Sequence, residues 1–181
     1  MTGIVISRRA ERRVRQPDRA GRTVSPERTA GALLISRRLL RRIETHARQA
    51  YPEECCGILV GVRRGDGVVV ASSHPAANRS EDGKCDRYEI DPAEILRVSR
   101  ASQDEGREIV GFHHSHPDHP SAPSVADAAR AWAGYVYVIT AVAACGHVET
   151  RAWVYDEPAE RFRELALRIR SAERHAARRE R

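Results

Sequence analysis

The chain of 181 residues is poor in several residue types. It has one methionine, two phenylalanines and two tryptophans, and a single lysine, Lys84, stands among its 31 basic residues. No apolar run approaches the ~18 residues that a membrane-spanning helix needs. The first residues, MTGIVISRRAERRVRQ, hold too short an apolar stretch for a secretory signal, so a cytosolic protein is the default reading. The four cysteines, Cys55, Cys56, Cys85 and Cys145, include no CxxC pair. That spacing speaks against a disulfide scaffold and against a four-cysteine zinc site. Their small apolar neighbours, CCGILVG and VAACG, suit reduced, partly buried thiols.

The net charge of +6 hides an uneven distribution. The first 30 residues hold eight arginines against three acids, whereas residues 51–158 hold ten bases against seventeen acids. The middle is acidic and the ends are basic, the reverse of what a nucleic-acid-binding core would show, so no specific nucleic-acid partner is expected. At 41% apolar and 31% charged, the length suffices for one domain with a core.

The organisation follows from periodicity and punctuation. Residues 1–30 are arginine-rich without an apolar period and read as a disordered basic tail. The stretch 32–50 carries Leu33, Leu34, Leu39, Leu40, Ile43 and Ala47 mostly three, four or seven apart, which predicts an amphipathic helix ended by Pro52. CCGILVGV and VVVASS read as strands around the turn RRGDG, and RYEI as a brief strand after a polar loop over 74–86. Asp91 and Pro92 open a helix to about Glu105. EIVGFHHSH reads as a strand, Ser124 as the start of a helix to about Ala133, and YVYVITAV and HVETRAWVYD as strands turning near Gly146. From Pro158 onward the chain reads as a charged helix. The domain is therefore placed at 31–158, with a charged C-terminal helix over 159–181. Alternating helices and strands with hairpins predict an α/β fold with a mixed sheet.

The informative passage is GFHHSHPDHPSAPSVAD, residues 111–127, with four histidines, three prolines and two aspartates. Neutral imidazole is the commonest metal ligand, so a zinc site is the natural hypothesis. Side chains at i and i+2 of a strand share a face, which pairs His114 with His116 and turns Ser115 and His113 away. Asp127, in the first turn of the next helix, can return as a third ligand. Two histidines and one aspartate leave a fourth position for water, the open arrangement of a catalytic rather than a structural zinc. His113 and His119 read as supporting or surface groups. His46, His74, His147 and His175 are scattered and are not expected to bind metal.

The pattern is His114-Ser115-His116-Pro117, the seven residues DHPSAPS ending in Ser124, two more, and Asp127. It resembles the motif of the JAMM (MPN-plus, JAB-type) metalloproteases, in their compact prokaryotic form. The upstream segment PEECCGILVG resembles the family's P-x-E-x-x-G and selects Glu54 over its neighbour Glu53. The resemblance implies a cytidine-deaminase-like mixed sheet flanked by helices. It implies zinc held by His114, His116 and Asp127, Glu54 as general base, and Ser124 as a stabiliser of the oxyanion. It also implies hydrolysis of a peptide or isopeptide bond at the Gly-Gly C-terminus of a ubiquitin-like or sulfur-carrier protein, either releasing cysteine or removing a protein conjugate.

Two alternatives stand beside it. The same residues spell HxHxDH, the metallo-β-lactamase box, which would recruit Asp118 and His119. That fold usually needs a longer chain, with the box early. The other is an MPN scaffold that binds partners without catalysis, against which the intact ligand set speaks. Ser124 and Asp127 also fit a plain helix-capping pair.

Overall fold

The computed structural model describes residues 31–170 apart from residue 82, so the tail at 1–30 and residues 171–181 lie outside the described residues. Seven strands and three helices follow in the order β1 (Ala32–Ser36), α1 (Arg37–Ala50), β2 (Cys56–Arg64), β3 (Gly67–Ala76), α2 (Pro92–Asp104), β4 (Glu108–Pro117), α3 (Val125–Arg130), β5 (Val136–Val142), β6 (Val148–Asp156) and β7 (Arg161–Arg170). The strands form one mixed sheet closed on itself in the order β1-β3-β2-β4-β5-β6-β7. β1 runs parallel to β3 and β7, β4 runs parallel to β5, and the remaining pairs are antiparallel. Among the described residues no helix is long and apolar enough to cross a membrane.

The sheet separates two cores. On its inner face Leu33, Ile35, Leu59, Val110, Val136, Val138, Val154 and Leu165 pack with Leu39 and Ile43 of α1. The four-residue spacing of Leu39, Ile43 and Ala47 aims that side of α1 into the closed sheet. On the outer face Cys56, Ile58, Val60, Phe112 and Tyr137 pack with Val98 of α2.

Four expected elements differ. The predicted helix over 32–50 begins only at Arg37: Leu33 and Ile35 are buried at period two as strand β1, and Ser36 caps the helix by accepting from the Leu39 N–H at 3.2 Å. RYEI, residues 87–90, forms no strand. The charged end is a strand over 161–170 rather than a helix, so the folded unit extends past residue 158. β7 joins β6 to β1 and closes the sheet, and pairing along both of its edges outweighs the helix propensity of RELALRIR. α3 also stops at Arg130, short of the expected Ala133. Cys55 and Cys56 are buried free thiols, whereas Cys85 and Cys145 are exposed rather than partly buried.

One irregularity positions the site. Leu59 pairs with Gly111 and Val60 with Ile109, so Val110 is an extra residue in β4. This bulge resets the alternation, and Phe112, His114 and His116 point to the outer face although Val110 points inward. Gly111 follows the bulge, opposite Val136 in β5, and a Cβ there would overlap the Val136 carbonyl oxygen and crowd its side chain. Gly111→Ala is therefore expected to destabilise the fold by about 1–3 kcal/mol, read as a lowered midpoint in urea.

Candidate metal centre

The bulge leaves His114 and His116 adjacent on the outer face of β4, and β4 ends at Pro117. The loop over 118–123 then turns back so that α3 begins over the strand end. Ser124 caps α3: its hydroxyl accepts from the Asp127 N–H at 3.1 Å, and Asp127 Oδ2 accepts from the Ser124 N–H at 2.7 Å. The Ser124 hydroxyl also lies 2.7 Å from Asp127 Oδ2. This reciprocal box fixes the Asp127 rotamer and turns its carboxylate toward the histidines.

His114, His116 and Asp127 converge. The two Nε2 atoms are 3.0 Å apart, His114 Nε2 is 3.1 Å from Asp127 Oδ1, and His116 Nε2 is 3.4 Å from Asp127 Oδ2. The edge of a tetrahedron around an ion with bonds of about 2.0–2.1 Å to nitrogen or oxygen is about 3.3 Å. The contacts are near that length, with the Asp127 carboxylate offering one oxygen to each histidine, and one ligand atom from each of the three side chains lies within 4.8 Å of the other two, so the donor set fits a metal ion. His116 Nδ1 donates to the Pro120 carbonyl at 2.8 Å, so in the neutral ring Nε2 is the lone-pair nitrogen. The His114 ring stacks on Tyr88 at 4.5 Å, which fixes its plane.

The electrostatics suit a cation. Burial by itself would raise the Asp127 carboxyl, but hydrogen bonds from His114 and His116 overcome it and hold the group well below the usual carboxylate range. Burial lowers His114 despite Asp127. Burial also pulls on His116, but there Asp127 and the Pro120 carbonyl prevail and raise it.

Glu54 lies just before β2. Cys56 pairs with His114, and the Ser115 N–H donates to the Cys55 carbonyl, so the antiparallel register carries Glu54 to a place opposite His116 and on the same face. The backbone there is held by the Glu54 N–H on the Lys84 carbonyl at 2.6 Å and by Asn78 on the Glu54 carbonyl at 3.1 Å. The side chain is buried, and burial pushes its carboxyl up to about 8, with His116 opposing and Asp127 and Asp86 adding to the rise. Glu53 is exposed.

The residues of the β-lactamase reading lie elsewhere. Asp118 adopts a left-handed conformation (φ 53°), and its carboxylate accepts from the Tyr51 hydroxyl at 2.8 Å and from the Ala144 N–H at 3.0 Å. His119 is exposed. The expectation that His113 supports the site or lies at the surface is not met: it is fully buried, on the opposite face of β4 from His114. Sequence reasoning also missed Tyr88, because an aromatic in a loop gives no signal of the ring it will stack on.

Comparisons with known proteins agree with this geometry. Residues 36–156 match the family described as prokaryotic homologs of the JAB domain. A desampylase of Haloferax volcanii is 35% identical over 132 residues, covering 70% of this chain and 88% of that protein. A CysO-cysteine peptidase of Mycobacterium tuberculosis is 33% identical over 88 residues, covering 49% of this chain and 58% of that protein. The solution structure of a Desulfitobacterium hafniense protein superposes with a TM-score of 0.70 at 25% identity, covering 80% of this chain and 97% of that one. The solution structure of a Salinibacter ruber protein superposes at 0.59 with 33% identity, covering 77% of this chain and 92% of that one.

Proposed function

The chain belongs to the prokaryotic homologs of the JAB domain, and from that membership we propose that it is a zinc-dependent deconjugating peptidase. In this reading it hydrolyses a peptide or isopeptide bond at the Gly-Gly C-terminus of a ubiquitin-like or sulfur-carrier protein. The observation that carries the reading is the convergence of His114, His116 and Asp127, whose imidazole nitrogens lie 3.0 Å from each other and 3.1 and 3.4 Å from the two carboxylate oxygens.

His114, His116 and Asp127 hold the ion. When bound, it supplies Lewis-acid polarisation of the scissile carbonyl and lowers the pKa of water to near 7. Glu54 accepts the proton of the attacking water and returns it to the departing amine as the C–N bond breaks, so the products are a carboxylate and an amine. A cation beside Glu54 favours its carboxylate form over the protonated form that burial imposes, which suits a base working near neutral pH. The exposed Ser124 hydroxyl, which donates to Asp127 Oδ2 in the free protein, turns to donate to the developing oxyanion. It can do so without giving up the N–H contacts of the helix cap.

Two of the relatives are named for what they act on, SAMP conjugates in one case and a CysO–cysteine adduct in the other. Both names point to a small carrier protein with an adduct at its C-terminus. The test incubates metal-loaded protein with Gly-Gly-tailed carriers, bearing either cysteine or a lysine-linked protein at the C-terminus, and reads the products by mass spectrometry. Cleavage directly after Gly-Gly is expected, lost with a chelator and restored by zinc in preference to magnesium. Full metal loading with no cleavage of either adduct would refute the reading and favour a binding scaffold.

A further inference from the structure

The inner face of the same two strands carries a second group of ligand-type side chains. His46 comes from α1, Cys55 from the residue before β2, and His113 from β4. One ligand atom from each lies within 4.8 Å of the other two. Cys55 and His113 are buried, and His46 is half-buried. Among the described residues, neither ring nitrogen of His113 nor Nδ1 of His46 has a hydrogen-bond partner. A buried polar atom left unpaired costs about 1–3 kcal/mol, so three orphaned nitrogens on the two rings that meet one thiol call for an explanation. Gly57 bears on the same point: a Cβ there would overlap His113 Nε2 and lie 2.7 Å from the His74 carbonyl, so glycine makes room for an imidazole that nothing else holds.

We propose that His46, Cys55 and His113 form a second metal site that takes a soft, thiophilic d10 cation, Cu+ or Zn2+. Thiolate and imidazole select such ions over magnesium or calcium. Edges in a set of two nitrogens and one sulfur run to about 3.3–3.7 Å, so closure requires at most about 1 Å of movement, which the half-buried His46 side chain on α1 can supply. A cysteine ligates as the thiolate, so binding forms one metal–sulfur and two metal–nitrogen bonds and releases the thiol proton to solvent, with no change of oxidation state. Charge distinguishes the two ions: Cu+ with one thiolate is neutral in a buried site, whereas Zn2+ leaves +1.

The placement gives the site a role. Cys55 adjoins Glu54 in sequence, and His113 adjoins His114 of the first cluster; Glu54 and His114 both face the other side of the sheet. An ion on the inner face would tie α1 to the two strands whose register sets Glu54 opposite His116.

The inference does not depend on the peptidase reading, and the test separates them by using the Asp127→Ala background, which removes a ligand of the first cluster. Metal-free full-length protein is titrated without oxygen, with Co2+ standing in for Zn2+ and with Cu+ against a chromogenic chelator. The first cluster contains no sulfur, so a near-ultraviolet sulfur-to-cobalt band reports the second site alone. One equivalent of Co2+ with that band, or one equivalent of retained Cu+, is expected in Asp127→Ala. Either should persist in Cys56→Ser, vanish in Cys55→Ser, and weaken by about 10–100-fold in His46→Gln. His46→Gln keeps the test decisive if Cys55→Ser folds poorly, and circular dichroism checks the fold of each. Absence of both the cobalt band and Cu+ retention in Asp127→Ala, or their survival in Cys55→Ser, would overturn the assignment.

Discussion

Glu54→Gln is expected to lower turnover by about 10²–10⁴-fold while leaving metal stoichiometry unchanged, because it removes a proton acceptor and no metal ligand. The same substitution is expected to stabilise the metal-free protein at alkaline pH. The Glu54 carboxyl is raised from 4.5 to about 8 by burial. Between those values the unfolded chain releases the proton while the folded chain keeps it, so stability falls as pH rises through that window and stays reduced above it. Glutamine bears no charge and avoids the loss. The gain should reach about 2–4 kcal/mol at pH 9, measured by urea denaturation in the presence of a chelator. Unchanged turnover would show that Glu54 is not the base. An unchanged pH profile of stability would show that its carboxylate is not desolvated.

Asp127→Asn should weaken metal binding by at least ~10²-fold, since even groups that only support a ligand are worth 10–100-fold. Turnover should fall in parallel and recover in part at high metal concentration. The asparagine carbonyl can still accept from the Ser124 N–H, so α3 should remain capped. The sign of the pH effect is opposite to that of Glu54. The folded-state carboxyl of Asp127 is held below its ordinary 3.8, so its contribution is present above that value and is lost as pH falls below it. The variant should therefore lack part of the acid-induced loss of stability seen in the metal-free parent. Asp118→Asn serves as the control: its carboxylate is engaged by Tyr51 and Ala144, and metal stoichiometry should not change. Retention of metal in Asp127→Asn with loss in Asp118→Asn would restore the HxHxDH reading.

Much of the candidate site was legible because its residues are close in the chain. His114, His116, Ser124 and Asp127 span one strand, one proline-rich turn and one helix cap, and each carries a local rule: period two, loop punctuation, and S-x-x-D. Glu54 was not legible in that way. Nothing in its own segment separates it from Glu53, and only the resemblance chose it. The register of β2 against β4 supplies the physical difference, placing one carboxylate on the ligand face and leaving the other in solvent. His46 shows the opposite limit. It lies 67 residues from His113, inside an ordinary amphipathic helix, and no pattern in the sequence links the two.

By itself the amino-acid order determined the alternation of strands and helices, the cap of α3, and the pairing of two imidazoles on one side of an extended segment. These depend on neighbours within a few residues, where backbone geometry leaves little choice. Three outcomes required the assembled sheet. The segment RELALRIR became a strand because β1 and β6 both offered it backbone partners. The bulge at Val110 decided which face the histidines occupy. The closure of the sheet around α1 carried His46 to Cys55 and His113. In each case the deciding energy comes from contacts between residues far apart in the chain, which local propensity does not encode.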